Sequence, residues 1–222
     1  MSDSYTTIRV SGTGEYIEKK SKFIGEVHFA KTLPEAEAYL LAARKRYYDA
    51  RHHCFACITG EPGTPSEILR SNDDGEPGGT AGKPMLEVLT GAGLHYAAAV
   101  VTRYFGGTLL GTGGLVRAYT QAVQAALENA ETVTVTRGVL LRYKVTYQQA
   151  GKLQYLYAKE NLPTPEMEYG QDVLLDVLMP AGEAERIRKA TIQATDGRAE
   201  LLSARELEYR IVDGKVEKGT EE

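Results

Sequence analysis

Residues 96–130 read YAAAVVTRYFGGTLLGTGGLVRAYTQAVQAALENA and combine a strand, a glycine-rich turn and a helix. The stretch Tyr96–Phe105 is a continuous run of small and β-branched residues, which favours a buried central strand. The helix that follows places Tyr119, Ala122 and Ala126 on one face, and such small residues allow a close approach to a sheet. The sequence therefore predicts a sheet covered by a helix, with the glycine turn between them.

The glycine turn is a candidate anion site. It holds five glycines within the nine residues Gly106–Gly114. Free backbone N–H groups and the helix dipole favour an anion at the start of a helix, and the flanking arginines can add guanidinium contacts to phosphate. The spacing matches neither the Walker A motif nor G-x-G-x-x-G, and the glycines have the alternative role of permitting tight strand-to-helix packing. We predict a phosphate or nucleic-acid site formed by Arg103, Tyr104, Gly106, Gly107, Gly111, Gly113, Gly114 and Arg117.

A second candidate segment lies upstream, where residues 71–86 read SNDDGEPGGTAGKPML. The whole stretch 61–82 is predicted to be one long polar loop, and such loops inside a compact domain are usually functional or mobile. Clustered carboxylates can hold a hard cation such as magnesium, although Asp74-Gly75 is also a common hairpin signal in a solvated turn. No metal site is assigned with confidence. The residues predicted to share a cleft with the glycine turn are His53, Asp73, Asp74, Glu76, Thr80 and Lys83.

The histidine in that set comes from the segment ARHHC at residues 50–54, which is predicted to be a strand. One of its two histidines should face the exposed surface or a cleft, and His53 is a candidate acid or base. A histidine with a purely structural role is the more common alternative. In the same strand Cys54 and Cys57 have an odd separation, which places their side chains on opposite faces. The pair is therefore predicted to be two buried thiols, not a disulfide or a metal site.

Composition and charge favour a cytoplasmic protein. They do not show the excess of basic residues that is typical of nucleic-acid-binding proteins. The chain has 222 residues, a formal net charge of −4 and no apolar run long enough to span a bilayer. The N-terminus lacks the basic start and apolar stretch of a signal peptide. Residues 1–136 and 137–222 each carry 13 basic and 15 acidic residues. A strongly basic surface, which is typical of nucleic-acid-binding proteins, is not indicated by these counts.

The pattern along the chain indicates two α+β domains, residues 1–136 and residues 137–222. In the first domain, Thr32 and Glu35 have the spacing of a capping box and start a helix, and Pro84 opens a short second helix. After Thr136 the predicted order is strand 139–147, helix 149–161, strand 164–169, strand 173–179, helix 181–195 and strand 199–207. This βαββαβ order is the ferredoxin-like arrangement.

The segments at residues 50–54, 71–86 and 100–119 together resemble the paired signature of the IMPACT/YigZ family. The resemblance implies that the first domain adopts the ribosomal protein S-five domain-2-like fold, with a left-handed βαβ crossover that departs from the usual hand. It also implies that the two domains are similar to domains IV and V of elongation factor G. Eukaryotic relatives modulate translational control by binding the activator of a starvation-responsive kinase through an additional N-terminal domain, which is not expected here. The resemblance supplies no established catalytic residues.

Three functions fit these observations. The leading hypothesis is a translation-associated regulatory protein that binds RNA, the ribosome or a translation factor through the glycine-rich cleft. The second is a magnesium-dependent enzyme that acts on a small phosphorylated metabolite or nucleotide, and a binding module is favoured over this enzyme. The third is an adaptor that binds another protein without nucleic acid. No membrane partner is expected.

Overall fold

The central strand of the first sheet is the one that the glycine turn follows. The structure is a computed structural model that describes residues 3–219. Up to the end of the glycine-turn helix, the elements are β1 (Ser4–Val10), β2 (Gly12–Glu18), β3 (Ser21–Phe29), α1 (Leu33–Arg46), β4 (His52–Thr59), β5 (Ile68–Asn72), α2 (Gly82–Gly91), β6 (Ala97–Tyr104) and α3 (Gly111–Glu128). Helix α1 begins after Thr32, whose side chain accepts a hydrogen bond from the Glu35 N–H, as the capping pattern predicts.

Strand β6 lies in the middle of a five-stranded antiparallel sheet with the order β2-β3-β6-β4-β5. Its side chains from Ala97 to Val101 are almost completely buried. The prediction of a buried central strand is confirmed, because helices cover both faces of the sheet.

The two faces of the sheet have different helical partners. Residues of α2 and α3 pack on the face that carries Cys54, whereas α1 packs on the face that carries Cys57. Both cysteines are buried and free. The prediction that their side chains point to opposite faces is therefore confirmed, as strand alternation requires.

Helix α3 lies unusually close to the backbone of the sheet. A Cβ atom added to Gly25 would be 2.2 Å from the carbonyl oxygen of Ala122, and one added to Gly14 would be 2.3 Å from the carbonyl carbon of Ala125. Such distances leave no room for a side chain at either of these two positions. The small-residue face predicted for this helix thus meets glycines on β2 and β3, and these contacts set the short distance between α3 and the sheet.

The stretch 61–82 is not the continuous loop that the sequence predicts. It contains β5, which pairs with β4 at the edge of the sheet. All five residues of β5 are exposed. The strand is therefore held by backbone pairing and not by side-chain burial, so it has no alternating hydrophobic pattern for sequence analysis to detect.

The second part of the chain forms β7 (Glu131–Val145), α4 (Tyr147–Lys159), β8 (Glu166–Tyr169), β9 (Val173–Pro180), a short 3₁₀ turn (Ala181–Glu183), α5 (Ala184–Ala194), β10 (Glu200–Val212) and β11 (Lys215–Lys218). The chain thus has a mixed α+β, two-domain architecture. The strand order is β11-β10-β7-β9-β8, and β1 also pairs with β7. The predicted βαββαβ succession occurs here, with β11 as an additional strand that the sequence did not predict.

The chain divides into two compact units inside β7. One unit comprises Tyr5–Val133, and the other begins at Thr134 and also includes Asp3 and Ser4. The sequence-based boundary after Thr136 lies three residues further along. The left-handed crossover and the likeness to elongation factor G domains stay predictions. Within residues 3–219, none of the helices combines the length and apolar character that a membrane crossing needs.

Candidate functional site

A cleft of about 400 Å³ opens beside the start of α3, within the unit Tyr5–Val133. It gathers residues from the start of β4, from the loop after β5, from the end of β6 and from the glycine turn. Its lining residues are Arg51, His52, Gly75, Glu76, Pro77, Arg103, Phe105, Leu109, Leu110, Gly111, Thr112 and Leu115. Of the sequence-predicted site residues, three lie in this cleft: Glu76, Arg103 and Gly111.

Arg103 forms part of the cleft wall because of its position in β6. It shares the α3-facing side of the strand with Val101, whereas its neighbours in sequence point to the α1 side. Its guanidinium carbon lies 5.3 Å from the ring centre of Phe23 and 5.6 Å from that of Phe105. Only 5% of the residue is exposed. This arrangement places a positive charge in a largely apolar wall, where electrostatic interactions are stronger than in water.

Glu76 neutralises part of that charge. Its Oε1 atom accepts hydrogen bonds from Arg103 Nη1 at 2.5 Å and from the Tyr119 hydroxyl at 2.8 Å. Burial, reinforced by the nearby Cys54 and Glu76 side chains, raises the pKa of Tyr119, so this hydroxyl is a neutral donor. In contrast, the Nε–H of Arg103 has no acceptor among the described residues, although it is buried. The cleft wall therefore keeps one unsatisfied guanidinium donor, which is unusual for a buried polar group.

His52 is the histidine of the cleft. Its Nδ1 lies 2.8 Å from the carbonyl oxygen of Asp74. A carbonyl oxygen only accepts, so Nδ1 carries the proton of this hydrogen bond. Nε2 is 4.0 Å from Glu76 Oε1. His52 is thus oriented by the loop after β5, with its other nitrogen beside the Glu76 carboxylate.

His53, the histidine that the sequence analysis assigned to the cleft, lies on the opposite face of the sheet. It is 6% exposed, and its Nε2 lies 3.1 Å from the carbonyl oxygen of Tyr47. Burial lowers the pKa of His53, although the hydrogen bond to Tyr47 opposes this effect. The assignment to the cleft was wrong because adjacent strand residues alternate between faces. His52 could have been identified from the sequence, because it lies two residues before Cys54 and therefore on the same face of the strand. Cys54 packs on the α3 side.

The N-terminus of α3 supplies backbone donors to the cleft. Gly111 and Thr112 line the cleft, and no side chain of the described residues caps this helix. The first N–H groups of a helix have no intrahelical acceptor. Arg51, whose side chain is exposed, lies on the same cleft. The combination of helix N-terminus, Arg51 and Arg103 favours a bound anion.

Several predicted residues lie outside the cleft. Arg117 pairs with Glu18 at 3.2 Å, and Tyr104 donates its hydroxyl to Asp49 at 2.8 Å. Thr80 donates to the carbonyl oxygen of Pro77, and Lys83 is exposed on α2. Arg117 and Tyr104 were assigned from proximity in sequence, but the turn of α3 and the alternation of β6 direct their side chains elsewhere.

The glycines of the turn have separate roles. Gly106 packs against the backbone of Lys20 and Ser21, so it is required for close packing. Gly107 and Gly111 have positive φ angles of 83° and 71°. Gly113 and Gly114 lie in the first turn of α3 and, unlike Gly111, do not line the cleft. The glycine motif therefore serves packing and turn geometry at most positions, and only Gly111 forms part of the cleft.

The three acidic residues of the loop after β5 do not converge on one point. Both carboxylate oxygens of Asp73 accept backbone N–H groups, from Gly79, Ala81 and Gly82 at 2.8–3.0 Å. Asp74 accepts from the Arg44 guanidinium and from the His53 N–H. Within residues 3–219 no group of three or more His, Cys, Asp or Glu residues is arranged to hold a metal ion. The donor set does not fit the magnesium site proposed from the sequence.

Replacing Asp73 by alanine is expected to lower the free energy of unfolding by about 1–3 kcal/mol at pH 7, because three backbone donors lose their acceptor. Burial alone would raise the pKa of Asp73, but the bonds from Gly79, Gly82 and Ala81 lower it below its ordinary value. The stabilisation is therefore present above the unfolded-state pKa of about 3.9 and is lost as pH falls through the lower folded-state pKa. Urea unfolding at pH 7 and at pH 3 measures the effect.

The matched control is Glu185→Ala, which removes an exposed carboxylate paired with Lys189 on α5. This variant should leave the stability close to that of the parent protein. A destabilisation by Asp73→Ala that is equally large at pH 3 and pH 7 would contradict the assigned role of the carboxylate.

Comparison with known proteins identifies relatives for most of the chain. Residues 19–127 match the Impact N-terminal domain, and residues 144–198 match a domain of unknown function, DUF1949. The chain is 34% identical over 209 residues to the IMPACT family member YvyE of Bacillus subtilis (strain 168). This alignment covers 94% of each protein. It is 38% identical over 188 residues to the IMPACT family member YigZ of Escherichia coli (strain K12), covering 85% of this chain and 92% of that protein. A crystal structure described as a hypothetical protein aligns with a TM-score of 0.58 and 35% identity, covering 91% of this chain and 98% of that chain.

Proposed function

The chain belongs to the IMPACT family, and on this premise we propose that it is a translation-associated regulatory protein that binds RNA, the ribosome or a translation factor through the cleft beside α3. The observation that carries the proposal is Arg103. It is a buried arginine in the cleft wall with one donor unsatisfied, and it lies beside an uncapped helix N-terminus. A phosphate group of a nucleic-acid backbone supplies acceptors for the first N–H groups of α3 and for the Arg51 guanidinium, and the positive charge of Arg103 lies in the wall beside them.

The charge in the cleft supports a small number of phosphate contacts. Arg51 and Arg103 contribute two positive charges, Glu76 contributes one negative charge, and the α3 dipole adds partial positive charge. The chain as a whole is slightly acidic. Affinity for RNA should therefore depend on salt only modestly, since the slope of log K against log salt scales with the number of phosphates neutralised.

No comparable observation favours a magnesium-dependent enzyme. The carboxylates that such a reaction would use are bound by backbone N–H groups, by Arg44 and by Arg103. His52 is oriented in the cleft, but among residues 3–219 no serine or cysteine lines the cleft beside it.

Arg51→Ala is expected to weaken binding of single-stranded RNA about tenfold at low salt, since one charge-assisted hydrogen bond contributes about 1.5–3 kcal/mol. The salt slope should also become shallower by about 0.7, the contribution of one phosphate on a single strand. Fluorescence anisotropy across a salt series measures both quantities. Co-sedimentation of the same proteins with ribosomes tests whether the ribosome is the partner.

The matched control is Arg117→Ala, which removes an exposed arginine of the same unit that pairs with Glu18 outside the cleft. This variant should bind like the parent protein. Equal losses in the two variants would remove the cleft from the proposal. Absence of binding to both RNA and ribosomes at about 50 mM salt would contradict the proposal for these two partners and leave a translation factor as the partner.

A further inference from the structure

We infer that the cleft binds a single nucleoside monophosphate unit, with its phosphate at the start of α3 and its base against the apolar side of the cleft. This inference rests on the proposed function and deepens it, because it specifies what part of a nucleic acid the cleft accepts. Two sources share this chemistry, namely the phosphorylated end of a single strand and a free nucleotide.

The polar side of the cleft has room for one phosphate group. Gly111, Thr112 and Arg51 line this side, and the guanidinium of the buried Arg103 adds positive charge to the wall behind them. Arg103 is not free to move, because Glu76 and the rings of Phe23 and Phe105 hold it. A preorganised set of donors and charges of this kind favours a compact anion over a flexible polyanion.

The apolar side of the cleft is more extensive than a phosphate requires. Phe105 is 44% exposed and Leu109 is 83% exposed, and Leu110 and Pro77 complete this side. Exposed aromatic and aliphatic side chains beside an anion site are the arrangement on which bases stack in single-stranded nucleic-acid sites. Inorganic phosphate alone would leave these side chains in water.

The size and charge of the unit limit the ligand to about one nucleotide. A volume of about 400 Å³ lies near the lower end of the range for small-molecule sites. Residues 1–136 carry 13 basic and 15 acidic residues, and this balance gives no excess of positive charge to follow a long backbone. Duplex RNA is recognised through contacts spread over many phosphates, so it does not fit this cleft.

The test is calorimetric titration of the full chain with AMP, with inorganic phosphate and with adenosine. AMP should bind about tenfold or more tightly than phosphate, because stacking of one base contributes about 1–3 kcal/mol. Arg51→Ala should weaken both AMP and phosphate. Leu109→Ser should weaken AMP about fivefold and leave phosphate unchanged, since only the base contacts this side chain.

Leu41→Ser is the matched control. Leu41 is also an exposed leucine, at 57%, but it lies on α1 on the other side of the sheet. AMP affinity should be unchanged in this variant. A loss equal to that of Leu109→Ser would overturn the inference, as would equal affinities for AMP and phosphate.

Competition experiments distinguish the sources of the ligand and separate this inference from the proposed function. A 5′-phosphorylated single-stranded oligonucleotide that displaces AMP, while a blunt duplex does not, supports the strand end as the ligand. AMP binding without oligonucleotide or ribosome binding supports the inference with a free nucleotide and overturns the proposed binding to RNA and to the ribosome. Oligonucleotide binding that depends on Arg51 but not on Leu109, without AMP binding, overturns the inference and leaves the proposed function standing.

Discussion

Glu76→Ala is expected to lower the free energy of unfolding by about 3–5 kcal/mol, because it leaves the Arg103 guanidinium buried without its counter-charge. The Glu76 side chain is 4% exposed and that of Arg103 is 6% exposed, so water cannot replace the lost carboxylate. The Tyr119 hydroxyl, whose ring is fully buried, loses its acceptor in the same variant. Urea unfolding at pH 7, followed by circular dichroism, measures the change.

A double variant separates the cost of an unpaired charge from the value of the ion pair. Glu76→Leu combined with Arg103→Met replaces the pair with apolar side chains and should recover most of the lost stability, since buried ion pairs are often no better than hydrophobic packing. The same double variant should lose phosphate affinity, because both the anchored charge and its partner are gone. If Glu76→Ala costs less than about 1 kcal/mol, Arg103 is not confined to the wall in the way described, because only a solvent-exposed pair contributes so little.

The Glu76–Arg103 pair shows what sequence analysis of this chain could not supply. The two residues are 27 positions apart, and the pairing of β4 with β6 places His52 directly opposite Arg103. Spacing within one segment does not reveal such neighbours. The role of the acidic loop was similarly ambiguous. An aspartate that accepts backbone N–H groups and an aspartate that binds a cation look the same in a sequence. Asp73 is of the first kind.

Segments with a regular apolar pattern were predictable, because the burial of their side chains follows that pattern. The buried strand Ala97–Tyr104, the capped start of α1 after Thr32 and the βαββαβ succession after β6 and α3 all follow from apolar spacing and turn residues. The edge strands β5, which is exposed, and β11, which is only half-buried at its two central residues, lack that spacing and were not predicted. Within the site, alternation along β4 and β6 was available from the sequence. This alternation separates His52 and Arg103, which face the cleft, from His53 and Tyr104, which do not. It predicts the cleft residues better than their distance in sequence from the glycines does.

Gly106→Ala is expected to lower the free energy of unfolding by about 3 kcal/mol, at the upper end of the cost of overpacking. A Cβ atom at this position would lie 2.1 Å from the carbonyl carbon of Lys20 and 2.3 Å from the nitrogen of Ser21. Both are backbone atoms, so no side-chain rotation relieves the contact. The Gly106 N–H also donates to the Ser21 hydroxyl at 3.0 Å, and displacement of the turn would lengthen this bond. Thermal and urea unfolding measure the loss.

Gly113→Ala is the matched control within the same glycine turn, and it should have the opposite sign. No heavy atom lies within 4 Å of a Cβ built at Gly113, and its φ angle is not in the left-handed region. Alanine is therefore compatible with the backbone and should stabilise the protein by up to about 1 kcal/mol through its greater helix propensity. Since Gly113 does not line the cleft, AMP and RNA affinities should be unchanged. Equal destabilisation by the two substitutions would mean that the turn requires glycine throughout, and that close packing does not single out Gly106.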